Sequence, residues 1–161
     1  MFAVTDRLEI IMENFNEYFL RERKVFLENI SYETVKTASQ AQPTRRLGCR
    51  DTVVAQLLLP TGVKFIFNRR LNFEPEALFT LSVSFGVFLR FDPSRRDEVD
   101  WKQVNLVNEF THHCPAVLSD MTARTTLLVA EITSSAGATP IIATPPPTHI
   151  VKPEKDSETD T

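Results

Sequence analysis

Residues 77–92 read ALFTLSVSFGVFLRFD, and their alternation decides the fold. From Phe79 every odd position is large and apolar: Phe79, Leu81, Val83, Phe85, Val87, Leu89 and Phe91. The even positions, Thr80, Ser82, Ser84, Gly86, Phe88, Arg90 and Asp92, are polar or small except for Phe88. Successive side chains of a strand point to opposite faces, so this is a strand with one oily side and one largely polar side. At about 3.3 Å per residue it runs roughly 45–50 Å, where an ordinary strand runs about 20 Å. A half-buried strand of that length requires an antiparallel sheet with a layer packed over one side.

Working outward, Val63 to Phe73 (VKFIFNRRLNF) repeats the alternation, with Val63, Phe65, Phe67, Leu71 and Phe73 in phase and Arg69 as the one break. Residues 48–59 make the strand before it, joined through the turn signal Pro60-Thr61-Gly62. Glu74-Pro75-Glu76 turns into the long strand, so these three strands form a meander of hairpins. A further strand, Lys24 to Val35 (KVFLENISYETV), precedes a polar linker, KTASQAQPTRR. Strict alternation puts Val25 and Leu27 on one face of it and Phe26, Ile30 and Tyr32 on the other. At the N-terminus, Leu8, Ile11, Phe15 and Phe19 form an apolar stripe at helical spacing, which predicts a helix from Thr5 or Asp6 to about Arg23.

Beyond Asp92 the segment PSRRDEVD is charged, and Asp100 is placed to cap a helix from Trp101 to about Phe110. Pro115 opens a second helix to about Ser134, whose stripe of Leu118, Met121, Thr125, Leu128 and Ile132 would cover the oily face of the sheet, with Gly137 ending it. Pro145-Pro146-Pro147 favours an extended chain. The organisation expected is an N-terminal helical segment over 1–23, a domain over 24–150 and a disordered charged tail over 151–161.

Composition excludes several classes of function. The chain has 161 residues, 42% hydrophobic and 24% charged, with a net charge of −3. The arginine pairs Arg45-Arg46, Arg69-Arg70 and Arg95-Arg96 are dispersed, which argues against nucleic-acid binding. Two cysteines, Cys49 and Cys114, are read as free thiols of a reducing compartment. With no apolar run of about 20 residues and no signal-peptide pattern, membrane insertion is not expected and the expected location is cytoplasmic. The excess is in phenylalanine, 12 residues against one Trp and two Tyr.

No catalytic pattern emerges. His112-His113-Cys114 is the one cluster resembling metal ligands, but adjacent residues rarely converge on one ion and no second pair stands at finger spacing. The four glycines, Gly48, Gly62, Gly86 and Gly137, are too far apart to cradle a phosphate. We therefore expect no catalytic residue, no metal and no cofactor, and read the phenylalanine-rich strands as a surface for apolar polypeptide.

Three segments, together with the proline-rich end, resemble the SecB family of protein-export chaperones. Val25-Phe26-Leu27-Glu28-Asn29-Ile30-Ser31-Tyr32-Glu33 is similar to that family's first strand, and Phe85-Gly86-Val87-Phe88 to the Ala-Gly-aliphatic-Phe of its fourth. Cys114-Pro115-Ala116-Val117-Leu118 resembles the Cys-Pro-Asn-Ile-Leu opening its main helix, and the proline-rich stretch after Gly137 its extended end. Asn29 stands where the export members carry an aspartate, while Glu33 keeps their glutamate. Ser119-Asp120 replaces a Phe-Pro, and Arg124 is one position out of register.

The resemblance implies an α+β fold: a four-stranded antiparallel sheet with helices packed on one face, assembled as a homotetrameric dimer of dimers. It implies nucleotide-independent holding of unfolded preprotein, or of a dedicated client such as a toxin–antitoxin pair. It also implies docking on the SecA motor, with Glu33 the docking residue. Phe26, Ile30, Tyr32 and Phe88 are the candidate client contacts. An adaptor of the same fold that binds one folded partner is the alternative, and an enzyme with a cavity under the sheet a more distant one.

Overall fold

A computed structural model describes residues 12–35, 46–74, 78–136 and 140–142. Four strands form one antiparallel sheet: β1 (Val25–Thr34), β2 (Arg46–Leu58), β3 (Gly62–Glu74) and β4 (Phe79–Arg90). Their order is β1-β4-β3-β2, so the meander of β2, β3 and β4 is as expected and β1 closes the far edge beside the long strand. Two α-helices, α1 (Leu106–His113) and α2 (Pro115–Ser135), pack against one face. The fold is therefore α+β, with a sheet covered on one side. Among the described residues no helix is long and apolar enough to cross a membrane.

The odd positions of β3 and β4 build the covered face. Val63, Phe65, Phe67 and Leu71 lie opposite Leu89, Val87, Phe85 and Leu81, and all are buried. Phe65 stacks on Phe110 of α1 with ring centroids 4.1 Å apart. On α2 the buried positions are Met121, Thr125, Val129 and Thr133. The predicted stripe is thus turned: Met121 and Thr125 are central, while Leu118, Leu128 and Ile132 pack partly buried at its flanks. Threonine serves in this row because its hydroxyl is satisfied inside the helix. Thr125 and Thr133 each donate 2.8 Å to the carbonyl four residues back.

Arg69, the break in the alternation of β3, stays on the covered face. Its side chain is 1% exposed and that of its partner Asp51, directly opposite on β2, is 3%. Nε and Nη2 donate to the two Asp51 oxygens at 2.8 and 3.0 Å, and Nη1 donates 2.8 Å to the Thr126 hydroxyl of α2. Burial by itself lowers the Arg69 pKa; the Asp51 hydrogen bond and charge outweigh it and raise the pKa.

The N-terminal segment departs from the helix expected to Arg23. Over its described part it is a single 3-10 turn, Phe15–Tyr18, followed by extended chain. Phe19 bridges Phe91, Leu20 N donates to Arg90 O, and Asp92 N donates to Tyr18 O, so this segment continues the line of β1 along β4. Phe15, Tyr18 and Phe19 cluster against Trp101, all buried. Helical spacing of aromatics was misleading here because hydrogen bonds to the end of β4 compete successfully with a helix. The helix expected over Trp101–Phe110 also divides: a 3-10 turn, Trp101–Gln103, is capped by Asp100, and Asn105 then caps α1. The expected helix end at Gly137, the linker up to residue 45 and the charged tail lie outside the described residues, and Arg46, expected in the linker, begins β2.

Breaking the Arg69–Asp51 pair should leave a buried charge without its partner. Asp51→Ala is expected to cost about 3–5 kcal/mol in urea unfolding, and the double variant Asp51→Leu/Arg69→Met less than that single. A loss below about 1 kcal/mol for Asp51→Ala would show the pair to be dispensable.

Candidate binding surfaces

The uncovered face of the sheet begins with Phe26. Its ring lies over Gly86, directly opposite on β4, so closely that a Cβ there would sit 2.6 Å from the ring. Gly86 is required for this contact, since any side chain would displace the aromatic. Phe88, two residues on and also on the uncovered face, lines a cleft of about 250 Å³ together with Phe26, Leu20, Glu22, Lys24 and Arg90. Lys64, opposite Phe88, stands 5.6 Å from the Phe26 ring centroid and pairs with Glu28 at 2.6 Å. Phe26 and Phe88 are each half-buried.

Ile30 and Tyr32 are elsewhere. A bulge between Leu27 and Asn29 shifts the register of β1 on β4, so that Leu27 opposes Phe85, Asn29 opposes Ser84 and Ile30 opposes Val83. An extra residue in one strand reverses which face its following residues meet. Ile30 and Tyr32 therefore lie on the helix-bearing side with Val25 and Leu27, which corrects the strict alternation expected for this strand. The helices do not cover them: Leu27, Ile30 and Tyr32 remain 49%, 41% and 37% exposed. Tyr32 stacks on Phe79 and borders a shallow groove of about 480 Å³ against Leu128, Glu131, Ile132, Ser135 and Ala136 of α2.

The four candidate contacts thus divide into two surfaces on opposite sides of one edge strand. Periodicity found the residues but not this division, because a bulge leaves no local signature in composition. Leu27 was missed as a candidate; its membership in an apolar edge is visible only once its cover is known to be absent. Glu33 is exposed on the uncovered face, opposite Thr80.

In the histidine–cysteine cluster, His113 and Cys114 pack inward while His112 is exposed. The His113 ring stacks on Phe15, and its Nε2 lies 3.3 Å from a Glu109 oxygen without the geometry of a hydrogen bond. Glu109, buried, accepts from Met12 N at 3.2 Å. Arg23 donates 3.0 Å to the Cys114 sulfur. Burial raises the Cys114 pKa more than the Arg23 charge and hydrogen bond lower it, so the thiol stays protonated, the opposite of an activated nucleophile. Burial, then the Asp51 charge, likewise raise Cys49. Among the described residues no group of three or more His, Cys, Asp or Glu is placed to hold a metal ion.

No protein-family model and no curated protein matches the chain. Among solved structures, the fold is similar to that of a Mycobacterium tuberculosis SecB-like chaperone in complex with a ChAD peptide from an antitoxin. The match has a TM-score of 0.46 and 13% identity, and covers 74% of this chain and 85% of that one.

Two outcomes are expected from this geometry. Gly86→Val should destabilise by about 1–3 kcal/mol through overpacking, and adding Phe26→Ala should restore part of the loss; failure of the second change to help would refute the contact. Both thiols have folded pKa values raised above the ordinary 9.0. The native state therefore holds those protons longer than the unfolded chain. Their contribution is complete below the unfolded value and is lost as pH rises through the folded ones. The alkaline fall in stability should be shallower in Cys49→Ser/Cys114→Ser, measured by denaturant titrations at stepped pH.

Proposed function

We propose that this protein is a nucleotide-independent chaperone that binds non-native polypeptide, with β1 at the centre of the binding surface. The observation that carries the reading is an edge strand apolar on both sides. Phe26, with Phe88, presents an aromatic cleft on one side, and Leu27, Ile30 and Tyr32 an uncovered apolar row on the other. An exposed, ten-residue edge strand ordinarily invites pairing with another chain. Such an edge supports binding an extended segment through main-chain hydrogen bonds, with side-chain pockets supplying selection. Burying one large apolar side chain contributes about 1.5–3 kcal/mol. Two such anchors give useful affinity for many unfolded sequences without demanding one of them.

The row of Leu27, Ile30 and Tyr32 on the helix side also supports self-association, and we assign a dimer of dimers as the working assembly. The finer assignments belong to the same reading. The clients are unfolded preproteins or one dedicated client such as a toxin–antitoxin pair, Glu33 is the residue for docking on the SecA motor, and the site of action is the cytoplasm.

At a stoichiometric ratio and without nucleotide, the protein is expected to suppress aggregation of several unrelated unfolded proteins. Phe26→Ser/Phe88→Ser should weaken client binding about tenfold or more, while the melting temperature shows the fold intact. Protection of none of the clients would end the holdase reading. Recovery of a single native partner in its place would identify an adaptor. Sedimentation should give a mass of four chains.

A further inference from the structure

On the uncovered face, Arg50 of β2 and Arg70 of β3 stand directly opposite one another, and both are exposed. Like charges at directly opposed positions of a sheet destabilise it. Neither arginine forms an ion pair with any described residue. Of the carboxylate residues on this face, Glu28 is engaged by Lys64, Glu33 lies two strands from Arg70 on β1, and Glu74 stands opposite Arg46, four residues along β3 from Arg70. The neighbouring residues Asp51 and Arg69 are turned to the other side and satisfy each other there. Among the described residues, then, this cationic pair faces solvent without an ion-pair partner at a fixed register of the sheet.

The rest of that face is graded. In register with the arginine pair are Ser82 and Ser31; the next row is Thr52, Asn68, Ser84 and Asn29. Asn68 donates to the Ser82 and Ser84 hydroxyls at 2.8 and 2.6 Å. The row after that is apolar, with Val54, Ile66 and Phe26 over Gly86, and Phe88 follows. From the arginines to the Ile66 row is four residues, about 13 Å at the rise of a strand.

We propose that this face selects polypeptide segments in which an apolar cluster is followed or preceded, about four residues away in extended chain, by acidic side chains. The apolar part occupies the Phe26–Phe88 cleft and Ile66, and the carboxylates pair with Arg50 and Arg70, whose planar guanidinium groups donate paired hydrogen bonds to carboxylate oxygens. The apolar half rests on the chaperone reading given above; the charge preference does not. A carboxylate is favoured over a nucleic-acid backbone because the cations of this face are interspersed with Glu28, Glu33 and Glu74 on a chain of net charge −3, where a polyanion requires an uninterrupted run of them.

The test uses the full chain and three fluorescently labelled unfolded peptides sharing a Leu-Phe-Val-Phe core and carrying, four positions on, a pair of Asp, Asn or Lys. By anisotropy at low salt the Asp peptide should bind about tenfold more tightly than the Lys peptide. The preference should shrink to about twofold or less near 0.5 M salt, and be abolished in Arg50→Ser/Arg70→Ser. That variant should melt no lower than the parent, since it removes a repulsion, and Arg50→Lys/Arg70→Lys should retain part of the preference. Equal binding of all three peptides would overturn the proposal while leaving the chaperone reading intact. Binding of the Asp peptide with no detectable binding of the Asn peptide would uphold the cationic site and remove the apolar one. A preference that persists in the serine variant, or stronger competition by a single-stranded oligonucleotide than by the Asp peptide, would also overturn it.

Discussion

The guanidinium of Arg69 is removed from water at the centre of the sheet's covered face, and the structure is arranged to satisfy it. A buried charge without a partner is among the most expensive features a core can hold. Asp51 must therefore lie directly across from it, which constrains the register of β2 on β3, and Thr126 must reach it from above, which constrains where α2 crosses. A slip of one residue in β2 would turn Asp51 to solvent. The apolar layer supplies most of the stabilisation, but Val, Phe and Leu at alternating positions tolerate more than one register; the ion pair selects one. With β2 and β3 set, β4 follows through Phe65, Phe67 and Leu71 against Val87, Phe85 and Leu81.

The opposite edge of the sheet is held with less specificity. β1 pairs with β4 but meets little of α2, and all its residues after Phe26 are exposed. The bulge at Leu27/Asn29 gathers Ile30 and Tyr32 on the helix side with Val25 and Leu27 and leaves Phe26 on the other, so an exposed edge carries apolar groups on both sides, a costly pattern for a free edge. The two sides of the sheet differ accordingly: β2 and β3 are tied by a buried ion pair, while β1 is exposed along most of its length. A sheet that is fixed at one edge can present the other without unfolding.

Much of this was legible residue by residue. The odd positions from Phe79 to Phe91 are all buried, and the four strands fall within two residues of where alternation placed them. Pro115 does open the long helix. Other features resisted reading. Phe15 and Phe19 have helical spacing yet sit in a 3-10 turn and an extended segment, because β4 offered their backbone better partners. Ile30 and Tyr32 were placed opposite Leu27 because strict alternation has no term for an inserted residue. Arg69 and Arg70 are adjacent in the chain, but one is the most deeply buried charge among the described residues and the other is exposed beside Arg50, a distinction set by the pleat and by partners about twenty positions away.

What the chain determined on its own is whatever depends on near neighbours: strand, strand, strand, helix, and which side of the meander is oily. Alternation is a local period, and burial enforces it at every position, so it can be read without knowing the partner. The tertiary structure alone decided that Phe26 rests on Gly86, that the bulge divides the candidate contacts between two sides, and that Arg50 meets Arg70. Each of these depends on the register between strands far apart in sequence, which is settled by the packing of the whole sheet under its helices and by the need to match the buried charge of Arg69.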